Sequence, residues 1–224
     1  MIQKVLDRQK TASGNEIILT DAGGDGTTVL TIGVFHGDEP SGKYLTESFL
    51  EKDLHPKNRL LFIPCLNPDG FLNKTRCNSN GVDLNRNFPT KNWISGKKDK
   101  YFGGNTPASE IETMFLIQVI EKYKPDLILT LHEPYRIVNY DGPASGIAKE
   151  LSKITGYKVE ENIGYPTPGS FGTYCGIERN IPVITLEFAP TVESEDAVLP
   201  IETPENLGCL YDKVMEYLAN SSIF

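Results

Sequence analysis

The sequence lacks the features that mark several protein classes. It has four cysteines, Cys65, Cys77, Cys175 and Cys209, and no two of them form a CxxC pair. That excludes a cysteine-based zinc module and a dense disulfide scaffold, and the four read as reduced thiols. No apolar run approaches the roughly 18 residues needed to cross a bilayer, so a membrane-spanning role is excluded. The start, Met1-Ile2-Gln3-Lys4, carries neither the apolar stretch nor the small-residue cleavage site of a secretory signal. The expectation is a cytoplasmic protein. Nor is there a basic excess, because 22 Lys and Arg against 30 Asp and Glu leave a net charge of −8. Nucleic acid is not expected to bind such a surface. The single basic cluster, Lys91, Lys97, Lys98 and Lys100 around Trp93, is interrupted by Gly96 and Asp99 and reads as a solvated loop.

What remains is a 224-residue chain with 39% hydrophobic and 23% charged residues, enough to build one sizeable core. It shows no internal repeat, low-complexity tract or linker, so a single domain over residues 1–224 is expected. Short apolar runs alternate with helical patterns, the signature of an α/β fold. Residues 28–34, 59–63, 126–131 and 182–188 read as buried strands, and the last two are apolar enough to be central. Helices are expected over 40–53, from a Thr106 cap to Tyr123, over 144–155 with Gly156 as terminator, and over 204–219. Between Cys65 and Phe102, Asn, Pro, Gly, Asp and Arg dominate and periodicity is lost. A long irregular stretch inside a compact domain reads as functional.

The chemistry-bearing residues cluster at strand ends, where ligands gather in open α/β sheets. His36-Gly-Asp-Glu39 follows the first strand, and a Gly-containing turn lets imidazole and carboxylate converge on one ion. His132 follows the 126–131 strand. Two imidazoles and one carboxylate form the three-protein-ligand set of a catalytic zinc, with a position left for water. His55 has no such context and reads as a surface residue. Glu187 stands in the otherwise apolar Ile184-Thr-Leu-Glu-Phe188, where a carboxylate is costly to bury without a charge, a metal or donors. It is a candidate general base that would take a proton from the attacking water and return it to the leaving amine. Arg76, with Asn85 and Arg86 in Gly81-Val-Asp-Leu-Asn-Arg-Asn-Phe-Pro89, suits recognition of a carboxylate or a developing oxyanion.

Taken in order, His36-Gly-Asp-Glu39, Asn67-Pro-Asp-Gly70, the Gly81–Pro89 segment, His132 and Ile184-Thr-Leu-Glu187 resemble the zinc carboxypeptidase family, the carboxypeptidase A-like metallopeptidases. The resemblance covers roughly residues 28 to 190. It implies a mixed, mostly parallel sheet flanked by helices on both faces. It also implies one zinc per chain, held by His36, Glu39 and His132. Glu187 would then be the catalytic base, Arg76 would polarise the scissile carbonyl, and Asn85 and Arg86 would grip the terminal carboxylate of a small peptide. The substrate-covering tyrosine falls at Tyr165, with Tyr174 as a competitor.

Within the family, Gly164–Thr173 and Leu131-His-Glu-Pro134 resemble a bacterial branch that cuts γ-D-glutamyl-meso-diaminopimelate bonds in recycled cell-wall peptides. Glu133 and Thr173 are candidates for contacting the zwitterionic diaminopimelate side chain. The alternative is an N-acyl amino acid deacylase of the aspartoacylase and succinylglutamate desuccinylase type, which shares the zinc ligands and the Asn-Arg pair.

Overall fold

In the computed structural model, which describes residues 3–190 and 201–222, one eight-stranded sheet runs through the molecule. Its strands are β1 (Lys4–Lys10), β2 (Glu16–Asp21), β3 (Thr28–Ile32), β4 (Arg59–Ile63), β5 (Leu127–His132), β6 (Ile137–Asp141), β7 (Lys158–Glu160) and β8 (Val183–Glu187). Their spatial order is β1-β2-β4-β3-β5-β8-β6-β7. The centre, β4-β3-β5-β8, is parallel throughout, whereas β2 joins β4 and β6 joins β8 antiparallel. The helices are α1 (Ser41–Leu50), α2 (Pro68–Asn73), α3 (Ile111–Tyr123), α4 (Ser145–Thr155) and α5 (Pro204–Asn220). This is the mixed, mostly parallel sheet expected from the sequence.

Strand alternation separates two cores. On one face Val29, Leu60, Phe62, Leu129, Leu131, Ile184 and Leu186 pack against α1, α4 and α5 through Phe49, Ala148, Leu151, Tyr211, Val214 and Leu218. On the other, Leu30, Ile32, Leu61, Ile63, Ile128 and Val183 meet α3 through Phe115, Leu116, Val119 and Ile120. That second core extends through Phe35, Leu84, Phe88 and Phe171, so it continues into the irregular loops. Helices therefore cover both faces, and both faces of β5 are buried along its whole length.

Two helix boundaries differ from expectation. The first helix spans Ser41–Leu50, shorter than 40–53. The third begins at Ile111 with Glu110 flanking it, so Thr106 is not its cap. The reason is Asn87, whose side chain holds the preceding loop. Its Nδ2 donates to the carbonyls of Gly103 and Thr106 and to Ser109 Oγ, and its Oδ1 accepts the Glu110 N–H at 3.2 Å. The Thr106 carbonyl is thereby taken away from a helical turn. Helix α4 ends as expected, with Gly156 in left-handed backbone at φ 71°.

Candidate metal centre and active site

His36, Glu39, Arg76, Asn85, His132 and Glu187 gather at the carboxyl ends of β3, β5 and β8. His132 and Glu187 end their strands as direct register partners. His36 arrives differently. After β3 the chain turns at Val34, whose φ of 54° is unusual for a β-branched residue. The turn is held because the Val34 carbonyl accepts the Asn67 N–H at 3.0 Å and the Gly33 carbonyl accepts that of Leu66. Asn67 explains the Asn-Pro-Asp-Gly motif. Its Oδ1 caps α2 by accepting the Gly70 N–H, while its Nδ2 donates to the carbonyls of Phe35 and Arg76. One amide thus ties the His36 turn, α2 and the Arg76 segment together. Gly37 is required at this junction, since a Cβ there would come within 1.9 Å of the Gly70 backbone.

The candidate ligand atoms of His36, Glu39 and His132 all lie within 4.8 Å of one another. Glu39 Oε1 is 2.7 Å from His36 Nδ1, and its Oε2 is 2.8 Å from His132 Nδ1. The two Nδ1 atoms are 3.3 Å apart. The far nitrogen of His36 is fixed by Asp83, Nε2 to Oδ1 at 3.2 Å. Asp83 is fully buried, and it also accepts Arg76 Nε at 3.0 Å and the Asn85 N–H at 2.9 Å. Sequence reasoning passed over this aspartate as an isolated role. The available signal was its place between Arg76 and Asn85, within the motif that supplies both.

The protonation pattern follows from these contacts. Burial disfavours the charged imidazole of His36, but facing Glu39 and Asp83 outweighs it and pushes His36 up to about 9. Burial lowers His132, so the proton of the pair resides on His36. Burial would raise Glu39 and Asp83, yet the imidazoles, together with Arg76 and Arg86 at Asp83, hold both well below the carboxylate range. Glu187 goes the other way. Burial and the nearby Glu39 charge raise it well above its ordinary value, and its Oε2 has no hydrogen-bond partner.

Arg86 is buried, and its Nη1 donates to the Asn85 carbonyl at 2.6 Å. Asn85 Oδ1 accepts the Phe171 N–H at 2.9 Å. Arg86, Tyr101, Tyr165, Pro166, Pro168 and Ile94 line a cavity of about 500 Å3. Tyr101, which no sequence signal marked, lays its ring 5.2 Å from the Arg76 guanidinium and 5.7 Å from that of Arg86. Tyr165 is exposed at this cavity, whereas Tyr174 is buried against Phe88 and Arg179. Of the two tyrosines, then, only Tyr165 faces the cavity. Glu133 accepts the Ser41 N–H at 2.9 Å on the Glu39 side of the centre, and Thr173 accepts a hydrogen bond from Ser170. His55 is exposed beside Asp53, as expected.

Comparisons with known proteins agree with this geometry. A family model described as zinc carboxypeptidase matches residues 10–153. The chain is similar to murein peptide amidase A of Escherichia coli, 35% identical over 175 residues, covering 72% of this chain and 71% of that protein. It is also similar to the crystal structure of murein-tripeptide amidase MpaA from Escherichia coli, with a TM-score of 0.77 and 30% identity over 92% of this chain and 88% of that one. Carboxypeptidase A from Helicoverpa armigera shares the fold, with a TM-score of 0.75 at 17% identity, covering 97% of this chain and 67% of that one.

Proposed function

Because this chain belongs to the zinc carboxypeptidase family and is a metallopeptidase-type hydrolase, we propose that it cleaves the γ-D-glutamyl-meso-diaminopimelate bond of murein peptides in the cytoplasm. The observation that carries the chemistry is Glu187, a buried carboxylate with an unpartnered oxygen beside a converged His-Glu-His set. The substrate rests on the likeness to the murein peptide amidases, which spans most of both chains.

The donor set fits zinc. Two imidazole nitrogens and a carboxylate, with Asp83 fixing the tautomer of His36, match the arrangement in which a carboxylate orients a ligating imidazole. His36, Glu39 and His132 would hold one ion, and zinc bound there supplies Lewis acidity and a more acidic water. The protein's own groups do the rest. Arg86 donates to the substrate's terminal carboxylate, aided by Asn85, whose Oδ1 is occupied by the Phe171 N–H so that its Nδ2 is left to donate. Arg76 is anchored by Nε and Nη2 on Asp83, and its Nη1, 3.6 Å from Glu39 Oε1, lies at the ligand set, where the guanidinium would stabilise charge on the scissile carbonyl oxygen. Glu187 takes a proton from the attacking water and delivers it to the departing amine. Tyr165 closes over the bound peptide.

The test is mass-resolved turnover of L-Ala-γ-D-Glu-meso-diaminopimelate by zinc-loaded protein. Release of free diaminopimelate is expected. No release with zinc bound, together with hydrolysis of N-acetyl or N-succinyl amino acids, would overturn the murein reading in favour of a deacylase.

A further inference from the structure

The two arginines of the centre are held in place by different means. Arg76 sets Nε and Nη2 on Asp83 and keeps Nη1 3.6 Å from Glu39, so two carboxylates anchor it. Arg86 is the more deeply buried, only 4% exposed, yet among the described residues no carboxylate lies within ion-pair distance of it. The one side-chain hydrogen bond that it makes there runs from Nη1 to the carbonyl of its neighbour Asn85. Asp83 is near enough to feel the Arg86 charge, but its oxygens accept from Arg76, His36 and the Asn85 N–H. A guanidinium buried without a counter-ion is costly.

What meets Arg86 instead is an aromatic ring. The centre of the Tyr101 ring is 5.7 Å from the Arg86 guanidinium and 5.2 Å from that of Arg76, within the range of a cation–π contact. Core packing does not explain this ring, since Tyr101 is 43% exposed. Lys100 Nζ, at 5.3 Å, is a third cation around it, on an exposed residue that water reaches. The backbone beneath the ring is pinned. Asp99 Oδ1 accepts the Tyr101 N–H at 2.8 Å, and the Phe102 carbonyl accepts the Asp83 N–H at 2.9 Å. At Gly103 the chain passes so close to Arg86 that a Cβ would fall 2.8 Å from the Arg86 carbonyl oxygen. Ring and guanidinium therefore hang from one junction of backbone.

The chemistry of this partner matters. A carboxylate in the place of the ring would take up the N–H donors of Arg86 and compete with the substrate's own carboxylate. A ring attracts the cation through its face and leaves the N–H groups at the guanidinium edge to a ligand. That edge belongs to the cavity lined by Arg86, Tyr101 and Tyr165. We propose that Tyr101 is a positioning residue, which holds the Arg86 guanidinium ready for the terminal carboxylate of the peptide. This rests on the proposed hydrolysis and deepens it.

The experiment compares L-Ala-γ-D-Glu-meso-diaminopimelate with the same peptide amidated at its terminal carboxylate. Tyr101→Leu removes the ring and keeps apolar bulk, Tyr101→Gln repeats the removal with a polar side chain, and Tyr101→Phe keeps the ring face. Turnover is read in the wild-type frame, and binding in a Glu187→Gln frame that does not consume the ligand. Tyr101→Leu and Tyr101→Gln should raise KM and weaken binding by about 3- to 30-fold for the free carboxylate and not for the amide. Their kcat should hold, because Arg76 keeps Asp83 and Glu39. Tyr101→Phe should restore the affinity that the other two lose. An unchanged KM without the ring, an equal loss on both peptides, or a Phe variant as weak as Leu would overturn the assignment. Absent turnover by the wild type, with carboxylate binding lost in Leu and restored in Phe, would overturn the hydrolytic reading and leave the assignment standing. Binding with no dependence on the carboxylate would overturn the assignment even where turnover is seen.

Discussion

The two halves of the active centre treat negative charge in opposite ways. On the β3 and loop side, the carboxylates at the ligand set, Glu39 and Asp83, are matched within the protein. Glu39 lies between two imidazoles, and Asp83 between His36 and Arg76. On the β8 and β6 side, Glu187 keeps an orphan oxygen and Asp141 meets no cation among the described residues. Matched charges build a rigid frame, since each would be expensive to bury alone. Unmatched charges are retained at a cost in stability, which is reasonable only where a substrate, a water or a proton completes them.

The largest test of this contrast is Glu187→Gln. A general base contributes about 100- to 10,000-fold, so kcat should fall by that order while zinc content and peptide binding persist. Removing an uncompensated buried charge should also leave the melting temperature unchanged or raised. A variant that was active, or that unfolded, would erase the distinction between the halves. Asp83→Asn should do the reverse. It strands His36 and Arg76 without their shared counter-charge, and chemical denaturation should show a loss of about 3–5 kcal/mol. Zinc affinity, measured by competition with a chelator, should weaken by roughly 10- to 100-fold.

Smaller effects sharpen the same picture. Arg86→Ala should raise KM by about 10- to 100-fold for a peptide with a free terminal carboxylate but not for its amide. An equal loss on both would make Arg86 part of the matched frame instead. The last prediction concerns a single proton. In metal-free protein His36 titrates near 9, so at neutral pH it is charged, and zinc requires it neutral. Zinc binding at pH 7 should therefore expel about one proton from His36. Apparent affinity should rise with pH until about 9 and then level off. Calorimetry in buffers of different ionisation enthalpy reads the released proton directly.

Much of this centre was legible in the sequence, for identifiable reasons. The central strands are buried on both faces and announce themselves as apolar runs, so a polar residue closing such a run, His132 or Glu187, stands out. Strands β1, β2, β6 and β7 do not. Their residues are partly exposed and gain definition only from pairing with neighbours already in the sheet. The start of α3 was misplaced because its loop answers to Asn87, some twenty residues upstream. Tyr101 escaped notice because stacking near two arginines is a property of the folded loop alone.

The pairing of His132 with Glu187 across β5 and β8 has a further consequence. The separation between a candidate metal ligand and the candidate base is a lattice constant of the sheet, fixed by the hydrogen-bonded ladder between adjacent strands. It cannot be adjusted gradually. A slip of one residue would turn Glu187 to the opposite face and bring Leu186 or Phe188, which pack in the helical core, to the catalytic side. Change in this enzyme is therefore confined to what the loops and β6 bring to the pair, while the spacing of the pair itself is either intact or lost.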